Sequence, residues 1–245
     1  MLFVCLKSVR LLLGAAVAAA LLVCTQAWAQ EAGTLRVTPV RINVQAPSAG
    51  AAVSLTNTGK RPMSVQVRVF KWTQKDGEEF YTPAHGVAVS PPMLTLKPRS
   101  TSVMRILRTD RAAIKGEESY RLVIDQLPDS ALRRHKGSAV SFVVRHNLPV
   151  FFTAVGQHMP QVTWQAVPVK GGYKVVATNT GSSHMGFASV RLLAGKTVVG
   201  QLDGLAGYAL AGSKNSFFVP AHGGGRPTRI TAVDMNNTPV DDIIR

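Results

Sequence analysis

Apolar and polar residues alternate in short runs along most of this chain, and turn-forming residues interrupt the runs about every ten positions. The run 65–70 reads Val-Gln-Val-Arg-Val-Phe, and the run 52–55 leads into Asn57-Thr58-Gly59. Successive side chains of a strand point to opposite faces, so this period predicts strands with one buried face. Further strands are predicted at 87–89, 102–107, 120–126, 139–144, 150–153, 173–177, 188–193, 216–219 and 229–234. Only 110–114 has the spacing of a helical turn, so the pattern predicts an all-β sandwich fold.

Two strand ends share a short sequence, which suggests an internal repeat. "VSLTNTG" (53–59) and "VVATNTG" (175–181) both end an apolar run with Thr-Asn-Thr-Gly. The repeat predicts two similar domains, although Asn and Gly are common in turns and a chance match is the alternative. The stretch "AVGQHMPQ" (154–161) contains Gly, His and Pro and is the best candidate for a linker. We therefore predict a first domain over 30–154 and a second over 155–245.

The first 29 residues predict a cleaved signal peptide. A basic start and an apolar run (11–23) lead to Ala27-Trp28-Ala29, the small-x-small pattern at which signal peptidase cuts. The apolar run is shorter than the roughly 20 residues of a membrane span, and no later segment is long enough. The mature chain is therefore expected in an exported compartment without insertion into the membrane. Both cysteines, Cys5 and Cys24, precede Ala29, so neither disulfides nor a cysteine nucleophile is expected.

The chain is strongly basic, with a formal net charge of +15. Lys7 and Arg10 fall within residues 1–29, which hold no acidic residue, so the mature chain keeps +13. Such a charge favours anionic partners, namely acidic proteins or anionic membrane headgroups, or else belongs to a solvated surface. Nucleic acid is not an expected partner of an exported protein.

Reactive side chains do not converge in the sequence. The histidines lack the His-x-x-x-His and His-x-His spacings of zinc sites; they are His85, His135, His146, His158, His184 and His222. Adjacent carboxylates such as Glu117-Glu118 would point to opposite faces of a strand. The glycine-rich "GGGRP" (223–227) is not followed by a helix pattern, so it is no phosphate loop. We therefore expect no enzyme activity, no metal and no cofactor.

The apolar strands with single cations resemble a known family. Seven segments carry the resemblance in order and spacing: "PVRINV" (39–44), "VSLTNTG" (53–59), "VQVRVFKWTQKDGE" (65–78), "VSPPMLTLKP" (89–98), "VMRILR" (103–108), "ESYRLVIDQLP" (118–128) and "SAVSFVVRHNLPVF" (138–151). Together they are similar to the periplasmic pilus-assembly chaperones of the chaperone–usher pathway. The forms "FKW", "YRL" and "NLPVF" favour the archaic branch.

The resemblance implies two immunoglobulin-like domains in a boomerang arrangement. It also implies a periplasmic function: binding, folding and capping pilus subunits, and delivering them to an outer-membrane usher. A subunit of this kind lacks its last strand, and the chaperone lends it one, which is donor-strand complementation. Main-chain hydrogen bonds satisfy the exposed edge of the subunit, while side chains from one face of the lent strand fill its core.

The donor strand is expected in the segment "AVSFVVRHNL" (139–148). Val140, Phe142 and Val144 share one face of it, and that face is wholly apolar. A strand that is buried on one side only would show the same alternation, so the donor assignment comes from the resemblance.

The resemblance also implies that a cation in the cleft binds the terminal carboxylate of the subunit. Non-archaic members carry a lysine in an "IKLFY"-like segment, where this chain reads "HNLPVF", so that lysine is missing. Arg121 is the expected substitute, Arg41 matches the family's first-strand arginine, and Arg145 neighbours the missing lysine. An ordinary surface arginine is the alternative for each.

Three other functions fit the sequence less well than a chaperone does. A secreted two-domain adhesion or carbohydrate-binding module needs exposed aromatic platforms, of which the chain has few, and an exported hydrolase needs reactive groups. A pilus subunit is normally a single domain. A free chaperone with an exposed donor strand can also self-associate.

Overall fold

The computed structural model describes residues 34–128, 143–156 and 158–245. Residues 34–245 form one compact unit, and the described part is built from strands and turns without helices. The strands are β1 (Leu35–Thr38), β2 (Ile42–Gln45), β3 (Gly50–Asn57), β4 (Met63–Lys75), β5 (Glu78–Pro83), β6 (Val87–Ser90), β7 (Met93–Leu96), β8 (Thr101–Arg108), β9 (Glu117–Gln126), β10 (Arg145–Thr153), β11 (Val162–Val169), β12 (Gly172–Asn179), β13 (Met185–Ala194), β14 (Thr197–Ala209), β15 (Lys214–Pro220), β16 (Arg229–Asp234) and β17 (Pro239–Ile243). The prediction of an all-β fold is confirmed.

The first ten strands form a sandwich of two sheets. One sheet has the order β1-β3-β8-β6, and the other has the order β2-β10-β9-β4-β5 with β7 also on β4. Alternate residues of both sheets fill the core between them, among them Leu55, Met104, Leu122, Ile124 and Phe152, each without exposed surface. The alternation seen in the sequence is thus the division between the core face and the outer face.

The last seven strands form a second sandwich with its own core. Its sheets have the orders β11-β12-β15 and β14-β13-β16-β17. Trp164 and Phe187 pack edge to face at 5.1 Å between ring centroids and lie at the centre of this core. The second sandwich therefore does not depend on the first for its hydrophobic interior.

The repeated Thr-Asn-Thr-Gly segments occupy equivalent places in the two sandwiches. Asn57 and Asn179 are both buried at a strand end, and each carboxamide oxygen accepts the N–H of the glycine two residues later at 2.9 Å. Each carboxamide also donates to the carbonyl four residues later, at 2.7 Å in both cases. A buried side chain that fixes the turn after a strand explains why the sequence recurs.

One local expectation was wrong, and one expected strand is longer than predicted. Segment 110–114 contains no helical turn, and the carboxylate of Asp110 accepts the N–H of Ala112 at 2.9 Å, as in an Asx turn. The strand expected at 150–153 begins earlier, at Arg145, and runs unbroken to Thr153. Residues 139–142 of the strand expected at 139–144 lie outside the described residues, and residues 143 and 144 precede β10.

The β4–β5 hairpin joins the first sandwich to the second. Its two-residue turn, Asp76-Gly77, has positive φ angles of 55° and 86°, as a type I′ turn requires, and Ser216 donates to the Gly77 carbonyl. Gln74 donates to the Tyr208 carbonyl at 2.8 Å and accepts from the N–H of Leu210 at 2.9 Å. These bonds fix the position of β4 and β5 beside the second sandwich.

Candidate functional site

Strand β10 has one closed half and one open half. It pairs antiparallel with β9 along its whole length, from Arg145 to Thr153. It pairs parallel with β2 only over Val150–Thr153. No other described strand pairs with β10, so the backbone of 145–149 has an unpaired edge on the side of β2. An unpaired edge is a template on which a further strand can be added.

The predicted donor face continues the core face of β10. Leu148, Val150 and Phe152 point into the core of the first sandwich. Val144 has the same parity but is 41% exposed, and its carbonyl accepts the N–H of Gln126 at 3.0 Å. The other two predicted donor residues, Val140 and Phe142, lie outside the described residues.

Two of the three predicted cations flank Pro149, at the inner end of the open edge. Arg121 on β9 is the register partner of Pro149. Ile42 pairs with Val150, so Arg41, the residue before it, comes level with Pro149 on the opposite side of β10. Directly opposed residues share one face of a sheet, which puts both arginines on the face away from the core. Pro149 itself stands in "HNLPVF", where the family resemblance identified a missing lysine.

Arg121 is largely buried against aromatic rings. Its side chain is 12% exposed, and its guanidinium carbon lies 3.6 Å from the centroid of Trp72 and 5.6 Å from that of Tyr208. The nearest carboxylate belongs to Glu79, whose Oε2 is 3.9 Å from an Arg121 terminal nitrogen. The buried Nε of Arg121 has no hydrogen-bond partner among the described residues. Arg121 is therefore held by stacking more than by ion pairing.

Arg41 contacts the second sandwich instead. It donates to the carboxamide oxygen of Asn236, in the β16–β17 turn, at 3.0 Å. Burial raises the pKa of Tyr208, and the positive charges of Arg121 and Arg41 oppose that rise. The phenol of Tyr208 thus interacts electrostatically with both cations. Elements of both sandwiches therefore surround the arginines.

An aromatic cluster that includes the two rings beside Arg121 lies on this face of the sheet. Trp72, Phe151, Tyr208 and Leu210 are buried together. The ring of His184 stacks on Phe151 at 3.4 Å and 5°, and Glu117 accepts from the backbone N–H of His184 at 2.9 Å. Sequence reasoning missed these supports. Trp72 had a signal, since it stands in the "FKW" segment, but Tyr208 and His184 had none.

The third predicted cation has a different environment. Arg145 lies four residues before Pro149 on the same face, and its Nε donates to Asp125 at 2.5 Å. Arg68 donates to the other oxygen of Asp125 at 2.5 Å. Burial raises the pKa of Asp125, but the hydrogen bonds from Arg145 and Arg68 outweigh it, and the pKa lies below its usual value. Arg145 is thus committed to a carboxylate of its own chain.

The guanidinium groups of Arg41 and Arg121 offer N–H donors for an oxyanion beside the open edge of β10. No group of three or more His, Cys, Asp or Glu side chains that could hold a metal occurs in the described ranges. Within those ranges no helix is long and apolar enough to cross a membrane. Trp72 and Trp164 are each 1% exposed, so neither forms the exposed platform that carbohydrate binding requires.

Comparison with known proteins adds a family and a set of similar structures. Residues 34–154 match the family described as "Pili and flagellar-assembly chaperone, PapD N-terminal domain". A crystal structure of the CsuC-CsuE chaperone–tip adhesion subunit complex, from archaic chaperone-usher Csu pili of Acinetobacter baumannii, is similar with a TM-score of 0.67 and 25% identity. That match covers 86% of this chain and 98% of the other. A search of curated proteins finds no match.

Two further structures share the fold at lower identity. The SafB chaperone in complex with the SafA pilin of Salmonella enterica has a TM-score of 0.62 and 19% identity, covering 88% of this chain and 99% of that one. The CupB2 chaperone of Pseudomonas aeruginosa has a TM-score of 0.56 and 17% identity, covering 85% and 98%.

Proposed function

This chain belongs to the pilus-assembly chaperones of the chaperone–usher pathway, and on that premise we propose that it lends its β10 edge to a pilus subunit and takes the subunit's terminal carboxylate beside Pro149. It has the two immunoglobulin-like domains of this periplasmic family, and its similarity to the archaic Csu chaperone supports an archaic member. The observation that carries the proposal is the open edge of β10, with one arginine on each side of its inner end.

The geometry of strand addition explains the role of both arginines. A subunit strand paired with 145–149 takes the side of β10 that β2 occupies further along, so its end abuts the start of β2, where Arg41 lies. Arg121, the register partner of Pro149 on β9, is proposed to turn toward the same carboxylate when the subunit binds. A carboxylate between two guanidinium groups is fixed by charge-assisted hydrogen bonds. That contact sets the register of the added strand, which a slip of one residue would invert.

Val140, Phe142 and Val144 are the side chains proposed to fill the subunit's groove. The parity of β10 supports this, because the face that holds Leu148, Val150 and Phe152 in the chaperone core leads directly to Val144. Burial of three apolar side chains contributes roughly 5–8 kcal/mol before ordering costs.

The remaining features follow from the same function. We propose a signal peptide that is cleaved after Ala29, a boundary between domains at residues 154 and 155, and delivery of the subunit to an outer-membrane usher. The end of the matched family segment at residue 154 supports the boundary. A chaperone of this kind needs no catalytic site, ATP, metal or disulfide.

The test is co-expression of the chain with candidate subunits, followed by co-purification of the three arginine variants. Arg121→Ala should weaken subunit binding by about 2–5 kcal/mol if the pair is desolvated, because it leaves a buried carboxylate unpaired. Arg41→Ala should cost less or act jointly with it, and Arg145→Ala should cost least, since Asp125 already occupies that side chain.

Lysine at position 121 should restore binding only in part, because a point charge lacks the planar fork of arginine. The proposal for Arg121 is wrong if Arg121→Ala unfolds the free chaperone or leaves the subunit yield unchanged while Arg41→Ala abolishes it. Thermal unfolding of each free variant separates these cases.

A further inference from the structure

The guanidinium of Arg121 lies on the wrong side of its own strand for the proposed ligand. The sheet has the order β2-β10-β9-β4-β5, and an added strand would join it at the free edge of β10. Arg121 projects from β9 in the other direction, over the ring of Trp72 on β4 and toward Glu79 on β5. To meet a carboxylate beside Pro149, the side chain has to turn back across β9.

Glu79 has contacts other than the one with Arg121. The Asp76-Gly77 turn fixes the register in which Glu79 pairs with Gln74 and Tyr81 pairs with Trp72. The Tyr81 hydroxyl donates to Glu79, and the Gln74 carboxamide donates to it at 3.4 Å. Burial and then the hydrogen bond to Glu79 raise the pKa of Tyr81 to about 12, so the phenol remains a donor to this carboxylate.

The contact between Arg121 and Glu79 is loose enough to be exchanged. The nitrogen–oxygen distance of 3.9 Å is longer than a charge-assisted hydrogen bond, and the buried Nε has no acceptor in the described part of the chain. By contrast, Arg145 and Asp125 are 2.5 Å apart. Arg121 thus keeps an unused donor, its Nε, while it lies near a carboxylate that does not bind it tightly.

We infer that Glu79 is an internal competitor, which holds the Arg121 guanidinium over Trp72 in the free chaperone and must be displaced by the carboxylate of the subunit. The inference rests on the proposed role of Arg121. Its consequence is that binding of the subunit includes the loss of one ion pair within the chaperone. Removing the Glu79 charge should therefore strengthen the complex, whereas removing an ordinary supporting residue weakens it.

The test is whether removing the Glu79 charge raises or lowers the affinity for the subunit. The probe is the pilus subunit that is isolated in the co-expression experiment. Glu79→Gln retains an oxygen that accepts from Tyr81 but removes the charge. Its equilibrium affinity for the subunit should rise about three- to tenfold, as expected for a partly shielded ion pair. Glu78→Gln, an exposed carboxylate in the same hairpin, is the matched control and should change affinity less than twofold.

The gain should vanish when Glu79→Gln is combined with Arg121→Ala, because no cation is then left to compete for. Weaker or unchanged binding of the Glu79→Gln variant overturns the inference, even where Arg121→Ala weakens binding as proposed. If Arg121→Ala has no effect on binding, the anchor itself has been assigned wrongly. Tryptophan fluorescence adds an independent reading, since departure of the guanidinium from Trp72 should alter the emission on binding in wild type but not in Arg121→Ala.

Discussion

The two halves of strand β10 belong to the same alternating pattern of apolar residues, but they have different environments. Residues 150–153 lie between β9 and β2, and their even-numbered side chains are sealed in the core. Residues 145–149 have β9 on one side and, as far as the described strands go, an open edge on the other. Alternation of apolar residues therefore does not distinguish a strand that stabilises its own domain from one that is available to a partner. The neighbouring strand decides, and that neighbour comes from 108 residues earlier in the chain, since Val150 pairs with Ile42 and Thr153 with Gln45.

The carboxylates of β9 repeat the contrast. Glu118, opposite Phe152 in the closed half, accepts two hydrogen bonds of 2.9 Å from Arg108, whose side chain is only 8% exposed. Asp125, opposite Arg145 in the open half, binds two arginines that are 64% and 44% exposed. The closed half thus buries its cation, whereas both cations of the open half are exposed to solvent, where an ion pair contributes less to stability.

The largest effect is expected from a charge placed on the donor face. Phe142→Asp should abolish subunit capture in co-purification, because it puts a carboxylate into an apolar groove. Ser141→Asp changes the opposite face by the same charge and should largely retain capture. Equal loss in both variants, with both still folded by circular dichroism, would show that the even-numbered face is not the one donated.

Side-chain truncation separates the halves by their effect on stability. Phe152→Ala should lower the free energy of unfolding by about 3–5 kcal/mol, because it opens a cavity in the core of the first sandwich. Val144→Ala, at a position that is 41% exposed, should change it by less than about 0.5 kcal/mol while weakening subunit binding. Urea denaturation of the free chaperone measures both. A large loss of stability in Val144→Ala would mean that this end of the strand is also part of the core.

The smallest expected effect is the loss of unfolding free energy when the β9 carboxylates, Glu118 and Asp125, are replaced. Hydrogen bonds from Arg108 hold the pKa of Glu118 below its usual value, so its stabilisation is present above about pH 4.3 and is lost as the pH falls through the folded-state pKa. Glu118→Gln should cost about 1.5–3 kcal/mol at pH 7. In urea unfolding curves the difference between the variant and wild type should begin to shrink as the pH falls below about 4.3, and it should vanish below the folded-state pKa.

Asp125→Asn provides the matched substitution in the open half and should cost only about 0.5–1 kcal/mol at pH 7. Its pKa is lowered as well, so its smaller contribution is lost over the same acidic range. A loss as large as that of Glu118→Gln would contradict the view that exposure of Arg68 and Arg145 weakens their pairing.

The sequence was sufficient for the fold class and for several elements. The strand expected at 229–234 matches β16, and the strand expected at 120–126 lies within β9, because period-two alternation records which side chains face a core. The three cations were also visible as arginines in strand patterns. Their partners were not, since Asn236 and Tyr208 approach Arg41 and Arg121 from the second sandwich, far along the chain. Such contacts depend on how sheets pack, which alternation does not encode.

Asn57 and Asn179 give each sandwich a built-in reporter of its own opening. Their carboxamide hydrogens are buried and bonded to main-chain carbonyls, at Leu96 in one case and Ala209 in the other. Such hydrogens exchange with heavy water only when the surrounding turn detaches. Two side-chain NH2 resonances in a nuclear magnetic resonance spectrum would therefore time the local opening of the two sandwiches separately, in a single sample and without any label attached to the chain.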